Sequence, residues 1–151
     1  MTSPYLRFAA MIATSTAVMF GLTYVNTYQA DHVFFSETRL YMSLLMGAAM
    51  SVVMLSFMLG MYRDRRLNAA VYLAAAVVFA TSLWLVRSQA TVDQISYMRA
   101  MIPHHSIAIL TSERAEIEDP RVRSLADGII ATQRREIDEM KSLIAELQAK
   151  P

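Results

Sequence analysis

The chain has no cysteine among its 151 residues, and this absence removes a whole set of chemistries. Without thiols it forms no disulfide, holds no metal through thiolate and has no cysteine nucleophile. Any soft metal ligand must therefore be the thioether of methionine, a residue that occurs 12 times. Histidine is scarce, with only three in the chain, so the position of each imidazole carries weight.

Charged residues are nearly missing from the first 86 positions. Of the 14 basic and 13 acidic residues, positions 87–151 hold nine and ten, which leaves five and three for the rest. This asymmetry separates a lipid-soluble half from a water-soluble half. The formal net charge is +1 with no basic patch, so the sequence predicts no nucleic-acid partner.

Three long stretches without charge predict three transmembrane helices in the lipid bilayer. They run over residues 8–25, 40–62 and 67–86, and each is about long enough to cross a hydrocarbon core. The first stretch has a signal sequence as its alternative reading. It runs into Tyr24-Val25-Asn26-Thr27-Tyr28 and not into a small-residue cleavage site, which favours a retained helix.

Three arginines in the turn between the second and third spans predict the orientation. Arg63, Arg65 and Arg66 lie there, whereas the loop over 26–39 has Arg39 as its single basic residue apart from histidine. The positive-inside rule puts the arginine turn and the amino terminus in the cytoplasm. We therefore expect a bacterial inner-membrane protein with a periplasmic carboxy-terminal domain.

Small residues recur along the second span, including Gly47, Ala48, Ser51 and Gly60. Such residues allow helices to approach closely in lipid. An ordinary contact inside the bundle is the favoured explanation, and a dedicated oligomer interface is the alternative.

The charged tail predicts a helical hairpin. Residues 88–118 form the first helical stretch, Pro103 either kinks it or begins a new turn, and the segment 118–120 turns the chain. Apolar residues then recur at three- and four-residue steps across 121–148. We predict an all-α protein with a three-helix transmembrane anchor over 1–87 and a periplasmic hairpin over 88–151. Two such helices are too few to enclose a core, so we expect the hairpin to pack against a second copy, another subunit or the outer end of the membrane bundle.

Two of the three histidines stand together in Pro103-His104-His105. On a regular helix Met98, Met101 and His105 share one face, and Gln133, Glu136 and Met140 share one face of the second helix. Imidazole and thioether are donors that copper prefers, with zinc as an alternative metal. The sequence thus predicts a metal site formed by seven residues: Met98, Met101, His104, His105, Gln133, Glu136 and Met140.

Folding the hairpin about residue 119 gives an expected register. His105 then lies level with Gln133, Met101 lies level with Ile137, and Glu136 lies close to Ile102. Each residue also has a plainer explanation. Adjacent histidines on a helix are often solvated, methionines at helical spacing often fill a core, and His32 in the 26–39 loop is expected to be idle.

The spacing of the tail resembles a known family. The pattern Met98-x-x-Met101-Ile102-Pro103-His104-His105-x-x-Ala108-Ile109, followed by Asp119-Pro120 and the Gln133-x-x-Glu136-Ile137-x-x-Met140 series, is similar to the domain of unknown function 305 family over about residues 93–148. The resemblance implies a ferritin-like four-helix fold, of which this chain supplies half, and periplasmic copper binding. It implies His104 and His105 as ligands, with the second-helix pattern opposite them.

The chain departs from that family in two respects. Where the first helix of the family continues to a methionine, this chain has Thr111, and the hairpin occurs once where many members carry it twice. We expect a non-catalytic, membrane-anchored copper-binding protein. An accessory or scaffold subunit of a larger membrane complex, with a degenerate site, is the alternative.

Overall fold

A computed structural model describes residues 4–149, and these are helical with no strand. Five helices follow one another: α1 (Pro4–Leu22), α2 (Glu37–Phe57), α3 (Arg65–Ser88), α4 (Gln94–Arg114) and α5 (Pro120–Ala149). A short 3-10 turn, Ala30–His32, lies between α1 and α2. The all-α prediction is confirmed.

Helices α1, α2 and α3 are each long and apolar enough to cross a membrane, with 19, 21 and 24 residues. Their bounds overlap the three predicted spans. The prediction of a bilayer environment therefore holds by length and composition.

The chain divides into two compact units. The span unit comprises the chain up to Thr23 together with Thr38–Thr91, and the hairpin unit comprises Tyr24–Glu37 together with the chain from Val92. The predicted boundary at residues 87 and 88 lies near the second junction. The segment 24–37, however, belongs to the compact unit of the hairpin.

The span unit has a small core in which Phe8, Leu55 and Tyr62 are buried. The ring of Tyr62 packs edge-on against those of Tyr5 and Phe8, at centroid distances of 5.0 and 5.4 Å. The close approach expected of small residues occurs at Gly47, where an added Cβ would lie 2.2 Å from Oγ1 of Thr16.

Capping residues explain where α3 and α4 begin and end. Asp64 accepts hydrogen bonds from the backbone N–H groups of the first turn of α3, and Asp93 does the same for the N–H of Ser96 in α4. Gln89 ends α3 in the left-handed region, with φ 52°. The predicted helix over 88–118 was wrong at both ends, because these caps break it at 89–93 and α4 stops at Arg114.

Helices α4 and α5 pack as an antiparallel pair around an isoleucine core. Ile102 and Ile109 of α4 and Ile137 of α5 are almost fully buried, at 0–1% exposure. Pro103 lies buried inside α4, which continues through it. The helix therefore does not restart at this proline, and both neighbouring histidines remain on a helix that the core holds in place.

Candidate metal centre

Packing between α4 and α5 brings His105 to Glu136. The Nε2 atom of His105 lies 2.8 Å from Oε2 of Glu136, and the two residues are 31 positions apart. The sequence placed His105 level with Gln133, three positions earlier on α5. The difference is just under one helical turn; the non-helical connection 115–119 is longer than the predicted turn at 118–120.

The second nitrogen of the His105 ring is also occupied. Its Nδ1 lies 3.0 Å from the backbone carbonyl oxygen of Met101, and a carbonyl can only accept, so Nδ1 carries a hydrogen and donates it. This bond fixes the ring and directs Nε2 toward Glu136. Metal-binding histidines are commonly held in this way, with the nitrogen that does not bind the metal donating to a carbonyl.

The pair lies in an open cavity of about 760 Å³ along the two helices. We call it the His105 groove, and its lining residues are Gln94, Tyr97, Met98, Met101, His105, Glu136, Glu139, Met140, Leu143, Glu146 and Leu147. Five of the seven predicted site residues are in this set. Three of those five are methionines, so thioethers line the same groove as the imidazole and the carboxylate.

The charge of the groove has one sign apart from the histidine. Glu136, Glu139 and Glu146 line it, and no lysine or arginine within residues 4–149 does. Among residues 4–149, no group of three or more His, Asp or Glu side chains could hold a metal ion. A soft ion bound in the groove would therefore need thioether ligands beside His105 and Glu136.

Two predicted ligands lie outside the His105 groove. His104 is exposed, and its ring centre lies 6.4 Å from that of His105 at an angle of 64°. Gln133 lines a separate depression with Leu125, Gly128 and neighbouring residues of α5. The predictions that His104 and Gln133 are metal ligands gain no support from these positions.

Met98 and Met140 also bear out the plainer reading of methionine. Met98 is buried at 7% exposure in the hairpin core, and Met140 packs against that core. Both residues therefore fill space and line the groove at once. Thr111, at the position of the missing methionine, is exposed and donates its hydroxyl hydrogen to carbonyls of the preceding turn.

Sequence reasoning missed a contact made by His32. Its ring is 7% exposed, and its Nδ1 lies 3.0 Å from the hydroxyl of Ser106. Burial is the main reason that the pKa of His32 is lowered below 6.5, and the positive charge of Lys141 lowers that pKa further. The sequence predicted neither the burial of His32 nor this contact. The only local signal was its neighbour Asp31, because its partner is 74 residues away.

Comparisons with known proteins match the carboxy-terminal part of the chain. Residues 94–151 match the sequence profile of a family described as Domain of unknown function (DUF305), which confirms the resemblance found in the sequence. An uncharacterised protein, L153, of Acanthamoeba polyphaga mimivirus is 42% identical over 66 residues. That match covers 42% of this chain and 43% of the viral protein. No solved structure matches the chain.

Proposed function

We propose that this chain, whose tail matches a family of unknown function, is a membrane-anchored protein that binds copper in the His105 groove without catalysing a reaction. The observation that carries the proposal is the 2.8 Å contact between His105 Nε2 and Glu136 Oε2, with Nδ1 held by the Met101 carbonyl. Two ligands that each lie about 2.0–2.2 Å from one tetrahedral metal ion are roughly 3.3–3.6 Å apart, so the two side chains would need to separate by less than about 1 Å to hold an ion between them.

The methionines of the groove favour copper over zinc. Thioethers are ligands for soft ions such as Cu(I), whereas zinc prefers imidazole, thiolate and carboxylate. Met98, Met101 and Met140 line the groove beside His105, and the chain has no thiolate to offer. We infer that His105 supplies nitrogen, the methionines supply sulfur, and Glu136 supplies oxygen or orients His105.

Carboxylates give the groove its attraction for cations. Glu136, Glu139 and Glu146 surround an opening that, in the described part of the chain, has no basic lining residue. The free ion would therefore meet a negative field before it reaches its ligands. This arrangement suits reversible capture and release of a metal cargo.

We further propose that the groove faces the periplasm of a bacterial inner membrane, with the amino terminus in the cytoplasm. Arg63, Arg65 and Arg66 support this orientation through the positive-inside rule. The connection between α1 and α2 belongs to the same compact unit as the hairpin. The chain crosses the membrane twice between the connection and the hairpin, through the proposed spans α2 and α3. This supports a position on the same side of the membrane for the connection and the hairpin.

A copper titration of the full chain in detergent micelles tests this function, with His105→Ala compared against His104→Ala. We expect about one copper per chain in the unchanged protein. His105→Ala should weaken the affinity by more than the 10–100-fold that loss of an outer hydrogen-bond partner costs, whereas His104→Ala should leave it nearly unchanged. Affinity should fall from pH 7.5 to pH 5 in the unchanged protein, because imidazole must be deprotonated to bind. Equal affinity in both variants would reject the groove as the site.

An accessory subunit with a degenerate site is the second candidate function. It is favoured by the incomplete ligand set among residues 4–149 and by the exposed apolar residues Val122 and Leu125 of α5, at 49% and 65% exposure. Such a subunit would co-purify with defined partner proteins and bind no copper. His105→Ala would then change neither property.

A further inference from the structure

The connection between α1 and α2 is docked on α4 through one buried hydroxyl. The backbone N–H of Tyr28 donates to Oγ of Ser106 at 2.8 Å, and Nδ1 of His32 lies 3.0 Å from the same oxygen. Ser106 has no exposed surface. The side chains of Tyr28 and Phe34 pack against the isoleucine core beside this contact.

The hydrogen bonds at Ser106 suit a neutral His32 ring that accepts at Nδ1. A serine hydroxyl has one hydrogen to donate and can accept from others. Since its oxygen accepts from Tyr28, its own hydrogen is available to Nδ1 of a neutral His32 ring. A protonated ring would present an N–H at Nδ1, and the Ser106 hydrogen would have to find another acceptor.

Charges around His32 come from three elements. Asp31, in the same connection, pairs with Lys141 of α5 at 2.6 Å and lies 3.9 Å from the His32 ring. Asp138 and Arg134 of α5 line the same small cavity as His32, and Arg134 is paired with Glu113 of α4. The other α4 residues that adjoin the ring are Ser106 and Ile109, which carry no charge.

We propose that the His32–Ser106 contact is an acid-released latch, in which protonation of His32 frees the connection 24–37 from α4. The contact joins two sequence-distant segments by hydrogen bonds that a neutral ring completes with the Ser106 hydrogen, whereas a cationic ring would displace that hydrogen from Nδ1. The cavity of about 320 Å³ beside His32 gives water and protons a route to the ring. Ser106 follows His105, so release also loosens the turn of α4 that holds the copper ligand; this last effect rests on the proposed function.

The direction of the pH effect follows from burial. Burial, and then the charge of Lys141, lower the pKa of His32 in the folded protein below its ordinary 6.5, against the opposing carboxylates of Asp31 and Asp138. The released state therefore binds protons more readily than the docked state. Docking is fully favourable above pH 6.5 and is lost progressively as the pH falls below that value.

Amide hydrogen exchange at Tyr28, corrected for intrinsic rates, tests the latch in the full chain in micelles. We expect a loss of protection between pH 7.5 and pH 5.0, in the direction that the lowered pKa of His32 predicts. His32→Asn keeps an acceptor near the Nδ1 position and cannot be protonated, so its protection should stay the same at both pH values. Ser106→Ala should lower protection at both.

Lys141→Gln changes neither residue of the buried contact, but it breaks the ion pair between Lys141 and Asp31. It removes a charge that opposes protonation of His32, so release should occur at a higher pH than in the unchanged protein. Equal protection of Tyr28 at both pH values in the unchanged protein, or an unaltered pH response in His32→Asn, would overturn the latch.

Copper binding, measured on the same samples, separates the two proposals. Loss of copper in His105→Ala with the Tyr28 response intact supports both. A latch that responds to pH in a protein that binds no copper leaves the latch standing and rejects the proposed function. If the protein binds copper but the protection of Tyr28 does not change with pH, the proposed function stands and the latch is rejected.

Discussion

The span unit and the hairpin unit differ in the size and polarity of the residues that dominate their interiors. Small and polar side chains dominate the interior of the span unit, and large apolar side chains such as Phe57, at 88% exposure, cover its outside. In the hairpin unit the interior is isoleucine and methionine, and the outside of α5 is charged. One chain therefore follows two packing rules.

The difference shows how the surroundings decide which residue is an interior residue. In water the hydrophobic effect drives large apolar groups inward. In lipid it gives no preference between a helix and an acyl chain, so close backbone approach and hydrogen bonds hold helices together. Gly47 against Thr16 and the bond from the Tyr5 hydroxyl to Asn68, at 2.9 Å, are contacts of the second kind.

The largest effect is expected from a cavity in the hairpin core. Ile137→Ala removes a side chain that is 1% exposed and should destabilise the hairpin by about 2–5 kcal/mol. Ile129→Ala on the same helix, at 37% exposure, is the matched control and should cost far less. Urea unfolding followed by amide exchange across α4 and α5 measures both changes. Similar costs would contradict an isoleucine core.

A pair of valine-to-lysine changes tests the lipid environment directly. Val77 in the middle of α3 and Val122 on α5 have similar exposure, 57% and 49%. Val77→Lys should cost about 2.5–3.5 kcal/mol of membrane insertion, whereas Val122→Lys should change hairpin stability by at most about 0.5 kcal/mol. Membrane abundance and insertion of α3 provide the readout. Tolerance of lysine at both positions would mean that α3 does not lie in lipid.

A smaller effect is expected where α1 meets α2. Gly47→Ala would bring a Cβ to 2.2 Å from Thr16 Oγ1, and relieving that overlap should cost about 1–3 kcal/mol. Gly21→Ala places its Cβ where no atom lies within 4 Å, so it serves as the control. Thermal unfolding of both variants in micelles, read from the helices of the span unit, compares them. Equal midpoints would show that the close approach is not needed.

Periodicity and charge were enough to predict most of the helices. Charge-free length identified the three apolar helices, and three- and four-residue spacing predicted residues 121–148 where α5 spans Pro120–Ala149. The ends of α4 could not be predicted from these patterns. Gln89 ends α3 in the left-handed region, and Asp93 caps the start of α4. These boundaries depend on backbone conformation and capping hydrogen bonds, which a hydrophobic pattern does not reveal.

The candidate site was predictable only in part, for a geometric reason. Helical spacing grouped His105 with Met98 and Met101. Folding the hairpin about residue 119 predicted the register between α4 and α5 to within one helical turn. That uncertainty was enough to exchange Gln133 for Glu136 as the partner of His105. The contact of His32 with Ser106 joins an irregular segment to a helix 74 residues away, and no periodic signal marks such a pair.

The imidazole of His105 stands between two oxygens, the carbonyl of Met101 and the carboxylate of Glu136. The 2.8 Å hydrogen bond to Glu136 needs a proton between Nε2 of His105 and Oε2 of Glu136. A metal ion bound at that position must displace this proton. Cargo uptake at the proposed site is thereby an ion exchange. At that site each copper ion that enters would release one hydrogen ion, so protons would compete with copper for the two side chains.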